Sequence, residues 1–153
     1  MNKNQLKNAI LFVLSKYNFK ITDNIVNMLL ETAYVESNCG EYIKQINGPA
    51  CGIFQMEPNT AKDIQNNYLK YNKKYQEYHD ALYIKCLTLE ENLCYNLAYS
   101  IFICRMFYLR IKESIPNTVE SRAKYWKKYY NTELGKGTVE KYIEKEKKYG
   151  KSF

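Results

Sequence analysis

The stretch GPACGIFQMEPNTA, residues 48–61, collects small residues in a chain otherwise rich in lysine, asparagine and tyrosine. Gly48 and Gly52 allow backbone conformations that a side chain blocks, and they permit close approach to a bound ligand. Gln55 carries both an amide donor and an acceptor, and Pro58 suits the first turn of a helix. Taken alone, the segment is an ordinary glycine turn before a helix. Its further meaning depends on Glu36 upstream.

Working outward, the apolar residues recur at helical spacing. Leu6, Ile10, Val13, Leu14 and Tyr17 pattern a first amphipathic helix. Thr22, Asp23 or Asn24 caps a second, whose apolar stripe of Ile25, Met28, Leu29 and Ala33 arrives at Glu36, with Gly40 ending it. Glu31 falls on another side of this helix, nearer to solvent. Residues 41–54 are expected to form a loop or small hairpin. Beyond Pro58, Ala61, Ile64 and Tyr68 continue one helical face, whereas residues 70–80 are polar and tyrosine-rich and pattern weakly. Thr88 and Glu91 form a capping box opening one long helix through Leu93, Leu97, Ile101, Cys104, Tyr108 and Ile111. Ala98, Ile103 and Phe107 make its other faces apolar, which places it in the middle of the fold. Val119, Ala123, Trp126 and Tyr130 pattern another helix, NTELGKGT is a loop, and Thr138 caps a last helix towards Gly150. The expectation is one mainly α domain over residues 1–153: a helical bundle around a central buried helix, with a small loop or β-hairpin region.

Composition narrows the function classes. A net charge of +7, almost all from lysine with arginine only at 105, 110 and 122, suits an anionic partner: nucleic acid, a membrane surface or a cell-wall polymer. The lysines are interleaved with glutamates, as in EKYIEKEKKYGK, which is a solvated helix face rather than a nucleic-acid stripe. Nucleic acid is therefore not the expected partner. Cys39, Cys51, Cys86, Cys94 and Cys104 are odd in number and contain no CxxC pair, so they are read as reduced thiols and not as a disulfide framework or zinc site. The run AILFVL lacks a cleavage site, and NLAYSIFICRMFYLRI is interrupted by Arg105 and Arg110, so neither a signal peptide nor a membrane span is expected. Synthesis in the cytoplasm as a monomer follows as the expectation.

Glu36 ends an apolar stripe. Partial desolvation disfavours the charged carboxylate and raises its pKa, so such a group holds a proton near neutrality and can give it to a leaving oxygen. A helix that simply frays into a polar terminus would show the same spacing.

The downstream loop adds specificity. Glu36-Ser37 followed by Gly48-Pro49-Ala50-Cys51-Gly52-Ile53-Phe54-Gln55-Met56-Glu57-Pro58-Asn59-Thr60-Ala61 resembles the lysozyme-like superfamily. Within it, the closest likeness is to the lytic transglycosylase domain of the soluble type. That signature is a Glu-Ser at a helix end, then Gly-Ala-x-Gly-Leu-Met-Gln-x-x-Pro-x-Thr-Ala. Asn92-Leu93 and Tyr129-Tyr130-Asn131 stand where the family carries its Asn-Leu and Tyr-Asn elements, and YWKKYYNTELGKGTVEKYI looks like the corresponding part of phage-encoded members. The chain departs from the pattern at IKQIN before the loop, at Pro49, at Phe54 in place of methionine, and at Thr132-Glu133 after the Tyr-Asn.

The resemblance implies a lysozyme-like fold whose loop region lines a cleft for peptidoglycan glycan strands, with no metal or cofactor. It implies Glu36 as the catalytic acid and base, cleaving the bond between N-acetylmuramic acid and N-acetylglucosamine to leave 1,6-anhydro ends. It further implies substrate contacts from Ser37, Gly52, Phe54, Gln55, Tyr130 and Asn131, with Tyr130 donating to Glu36 or to the substrate acetamido group. A hydrolytic lysozyme of the same fold and a non-catalytic wall-binding or virion structural protein are the alternatives. Glu57 and Asp63 read as helix-start residues, and His79 as a surface residue. Action at the wall would follow release by a holin, as for an endolysin, or carriage in a virion.

Overall fold

The computed structural model describes residues 1–151. It is mainly helical, with eight α-helices among the described residues: α1 (Lys3–Lys16), α2 (Asp23–Ser37), α3 (Pro58–Asn67), α4 (Lys73–Leu82), α5 (Leu89–Tyr95), α6 (Leu97–Leu109), α7 (Val119–Trp126) and α8 (Val139–Gly150). None of these is long and apolar enough to cross a membrane.

Most helices start where a short polar side chain can accept a free backbone N–H. Asn2, Thr22, Asn72, Thr118 and Thr138 cap α1, α2, α4, α7 and α8 in this way. Thr88 and Glu91 complete a reciprocal capping box on α5. In α3 the first position is Pro58, whose missing N–H is one that no intrahelical acceptor would use.

At the centre lies α6, whose residues from Tyr99 to Tyr108 are all buried. It packs against α1, α2, α3, α4 and α5. Each Ile or Phe taken wholly out of water here contributes about 1.5–3 kcal/mol. The long helix expected from Thr88 onward is in fact two. Asn96 has a non-helical backbone, its Oδ1 accepts from Tyr99 N at 3.1 Å to cap α6, and its amide donates to Leu82 O at 2.8 Å. The carbonyl of Leu93 that the break strands is taken by Ser100 Oγ at 2.5 Å. Buried Asn92 fixes the preceding turn through Ile84 N, Ile84 O, Leu87 O and Thr88 O.

Two further expectations, for His79 and Glu31, need correction, and the stretch left open in sequence takes a definite form. Residues 73–82, weakly patterned in sequence, form α4 because Tyr75 and Tyr78 pack with Tyr17 and Phe19 in one aromatic cluster. His79 is 8 % exposed rather than on the surface, hydrogen-bonded to Gln65 and Tyr99. Glu31 is 5 % exposed rather than near solvent: Arg122 grips both its carboxylate oxygens at 2.7 Å, and Tyr142 adds a third bond at 2.7 Å. Residues 41–57 hold no strand; only the isolated bridges Lys44 with Cys51 and Cys51 with Met56 give the loop a hairpin-like fold.

Candidate active site

Asn38, Cys39 and Gly40 terminate α2 by taking left-handed backbone conformations in succession, with φ of 52°, 60° and 79°. This abrupt stop leaves Glu36 on the last turn, facing a cleft of about 970 Å3. One wall is the loop that includes Gln45, Ala50 and Gln55; the other is Tyr129, Tyr130, Asn131 and the glycine-containing turn after them.

Glu36 is half-buried. No cation pairs with it among the described residues; Trp126 Nε1 donates to its Oε1 at 2.9 Å. Burial pushes its pKa from the usual 4.5 up to about 7, against the opposing pull of the indole hydrogen bond. Its neighbours reinforce the dry setting. Burial also drives the Cys104 thiol and the Tyr108 and Tyr130 hydroxyls well above their ordinary values, so all three stay neutral around the carboxyl.

Helix α7 ends in a wider, π-type turn over Lys127–Asn131. Such turns rotate the following side chains out of α-helical register, and they recur at functional sites. Here the turn delivers Tyr130 and Asn131 to the cleft wall. Tyr130 packs edge-on to Phe107, with ring centroids 4.7 Å apart, and its hydroxyl donates to the Phe54 carbonyl at 2.7 Å. It therefore bridges the two walls; of the two acceptors that the resemblance implies for this hydroxyl, Glu36 and the substrate acetamido group, Glu36 is not the one it bonds here. Lys127 Nζ donates to Asn131 Oδ1 at 2.7 Å and to Gly135 O at 2.9 Å, tying the turn to the loop beyond it.

The opening stretch of sequence now divides into scaffold and site. Gln55, held at φ 46°, donates Nε2 to Gly52 O at 2.9 Å and presents the rest of its carboxamide to the cleft. Glu36, Gln55, Tyr130 and Asn131 thus share one cavity. Ser37, Gly52 and Phe54 do not line it. Ser37 is fully buried, its hydroxyl donating to Ile53 O at 2.6 Å and accepting from Gly40 N at 2.8 Å, so it pins the loop to α2. Gly52 has φ 78°, and a Cβ there would lie 2.0 Å from Leu93 O; the glycine is required by helix α5, not by a ligand. The Phe54 ring is in the core, and only its carbonyl serves the site, through Tyr130.

Glu57 and Asp63 also line the cleft. Asp63 is paired with Arg110 at 2.6 Å and accepts from Asn67 at 2.6 Å, which holds its carboxyl below the usual range. The partner of Glu36 that sequence reasoning missed is Trp126, read only as part of an apolar face. A signal existed: indole N–H is donor-only, so the chain's single tryptophan, once buried, needs an acceptor. Comparison of the chain with protein-family models, curated proteins and solved structures finds no match.

Proposed function

We propose that the protein is a peptidoglycan-cleaving glycosidase of lysozyme-like fold, acting as a lytic transglycosylase with Glu36 as its acid and base. The observation that carries this reading is Glu36 itself: a carboxyl with pKa about 7, without a cationic partner, at the floor of an open cleft. At neutral pH about half of such groups are protonated, which suits general-acid chemistry.

In the proposed reaction Glu36 protonates the glycosidic oxygen leaving the anomeric carbon of N-acetylmuramic acid. The substrate's acetamido group supports the developing cation, as in substrate-assisted glycosidases. The new Glu36 carboxylate accepts the Trp126 N–H at 2.9 Å, which stabilises it for its second task. It then removes the proton of the C6 hydroxyl, whose oxygen closes on the anomeric carbon to form the 1,6-anhydro ring. No water is consumed, and Glu36 ends protonated as it began. Gln55 and Asn131 supply amide groups for sugar hydroxyls and acetamido groups, and Tyr130 fixes the separation of the walls. A soluble lysin of phage type, reaching the wall by holin-dependent release or in a virion, fits this activity.

Hydrolysis is the second reading, because a second carboxylate, Asp63, lines the same cleft; its bonds to Arg110 and Asn67 lower its basicity, which ranks water activation below the anhydro route. Mass spectrometry of muropeptides released from purified peptidoglycan separates the two. Wild type is expected to give anhydro-muramic products lighter by one water, and Glu36→Gln none. Reducing ends that disappear in the variant would establish a lysozyme instead, and no release by wild type would leave a wall-binding or structural protein.

A further inference from the structure

The chain has three arginines, and two are neutralised: Arg110 by Asp63 and Arg122 by Glu31. Arg105, on central helix α6, has no carboxylate partner among the described residues. It is only 5 % exposed, and its Nε has no hydrogen-bond partner. The polar groups acting on it are the phenols of Tyr68, Tyr75 and Tyr125 and the thiol of Cys104, none of which cancels a full positive charge at neutral pH. A buried, uncompensated guanidinium costs several kcal/mol, so its presence calls for a counter-ion.

Arg105 lines a second cavity of about 400 Å3, which shares no described lining residue with the Glu36 cleft. Two more cations, Lys20 and Lys112, line it. The N-terminus of α2 contributes Thr22 and Asn24, although its dipole already meets the Asp23 carboxylate of the same turn, so the attraction for an anion rests on the three cations. Asn24 Nδ2 donates to Asn117 Oδ1 at 2.8 Å, closing one side of the rim. The one carboxylate lining the cavity, Glu113, is already engaged by Tyr129 OH at 2.5 Å and Lys128 Nζ at 3.4 Å.

We infer that this cavity is an oxyanion-binding site, in which Arg105 receives a phosphate or carboxylate group and Lys20 and Lys112 attract it. Nε is wholly buried, so binding falls to the two Nη atoms, an edge of the planar guanidinium that suits two-point contact with either group. The volume admits a small organic molecule or the end of a polymer bearing that group, as well as the free ion. The site stands apart from the glycosidase reading, and its test involves no wall cleavage.

The test is calorimetric titration of the full chain with inorganic phosphate and, separately, acetate, at ionic strength held constant with chloride. Wild type is expected to bind at least one of the two, and the stronger ligand identifies the chemistry. Arg105→Met, which replaces the charge by an apolar side chain of similar length, is expected to weaken binding by about tenfold or more. In chloride alone its thermal midpoint is expected to equal or exceed that of wild type, because an uncompensated charge has been removed. Lys112→Ala, at an exposed position, provides a second variant independent of the core and is expected to weaken binding several-fold. Equal binding by wild type and both variants would assign the anions to scattered surface lysines and overturn the proposal. Absence of binding to wild type would overturn it as well.

Discussion

The indole N–H of Trp126 and the burial of Glu36 act in opposite directions on one proton. Burial dominates, leaving the carboxyl at about 7, while the hydrogen bond restrains the rise. Trp126→Phe removes the donor and keeps an aromatic ring, so the Glu36 pKa is expected to climb further. If protonated Glu36 is the active form, wild-type kcat/KM falls as pH rises through about 7. In Trp126→Phe that alkaline fall moves up by about 1 pH unit, corresponding to about 1.4 kcal/mol of lost carboxylate stabilisation. The rate on the acid side drops about tenfold because the carboxyl loses its anchor. A pH–rate profile of both proteins checks this; a limb that stays put would remove Trp126 from the site's electrostatics. The sequence shows Glu36 readily, because a carboxylate at the end of an apolar stripe is a local signal. Trp126 is not visible in the same way, since its acceptor lies 90 residues away.

At the scale of elements, capping residues made some helix starts legible: Thr88 and Thr138 stand where the sequence places them, and of the three candidates Thr22, Asp23 and Asn24 it is Thr22 that caps α2. The interruption at Asn96 is another matter. An asparagine inside an apolar run costs a helix little, and only the partners at Leu82 and Tyr99 turn it into a break. The π turn at Lys127–Asn131 is equally silent, because its periodicity differs from that of an α-helix by only a fraction of a residue per turn. Gly52 is the counter-example, legible as a special glycine but for a different reason from the one inferred. Its positive φ and the 2.0 Å approach of a Cβ to Leu93 O make Gly52→Ala costly by about 2–4 kcal/mol. Chemical denaturation measures that loss. A change below about 0.5 kcal/mol, the size of an ordinary surface substitution, would mean that the loop does not press on α5.

For the molecule as a whole, the buried group of Glu31, Arg122 and Tyr142 joins α2, α7 and α8, three helices distant in sequence. Glu31→Leu strands the Arg122 guanidinium and is expected to cost about 3–5 kcal/mol. The triple variant Glu31→Leu, Arg122→Met, Tyr142→Phe removes every charge and hydroxyl of the group and leaves only the Pro116 carbonyl, which accepts a long bond of 3.4 Å from Arg122, without its donor. It is expected to return to within about 1 kcal/mol of wild type, since replacing a whole buried ion network by apolar side chains is often neutral. What the triple variant does to Glu36 is the more informative result. Trp126 also packs on the Tyr142 ring, with centroids 5.4 Å apart, and a Cβ at Gly137 would stand 2.4 Å from its ring, so the indole is hemmed in by shape. Those surfaces survive in the triple variant, so the alkaline limb of its pH–rate profile is expected to match wild type. A limb displaced upward in a stably folded triple variant would mean that the ion network, and not packing, holds the indole against Glu36.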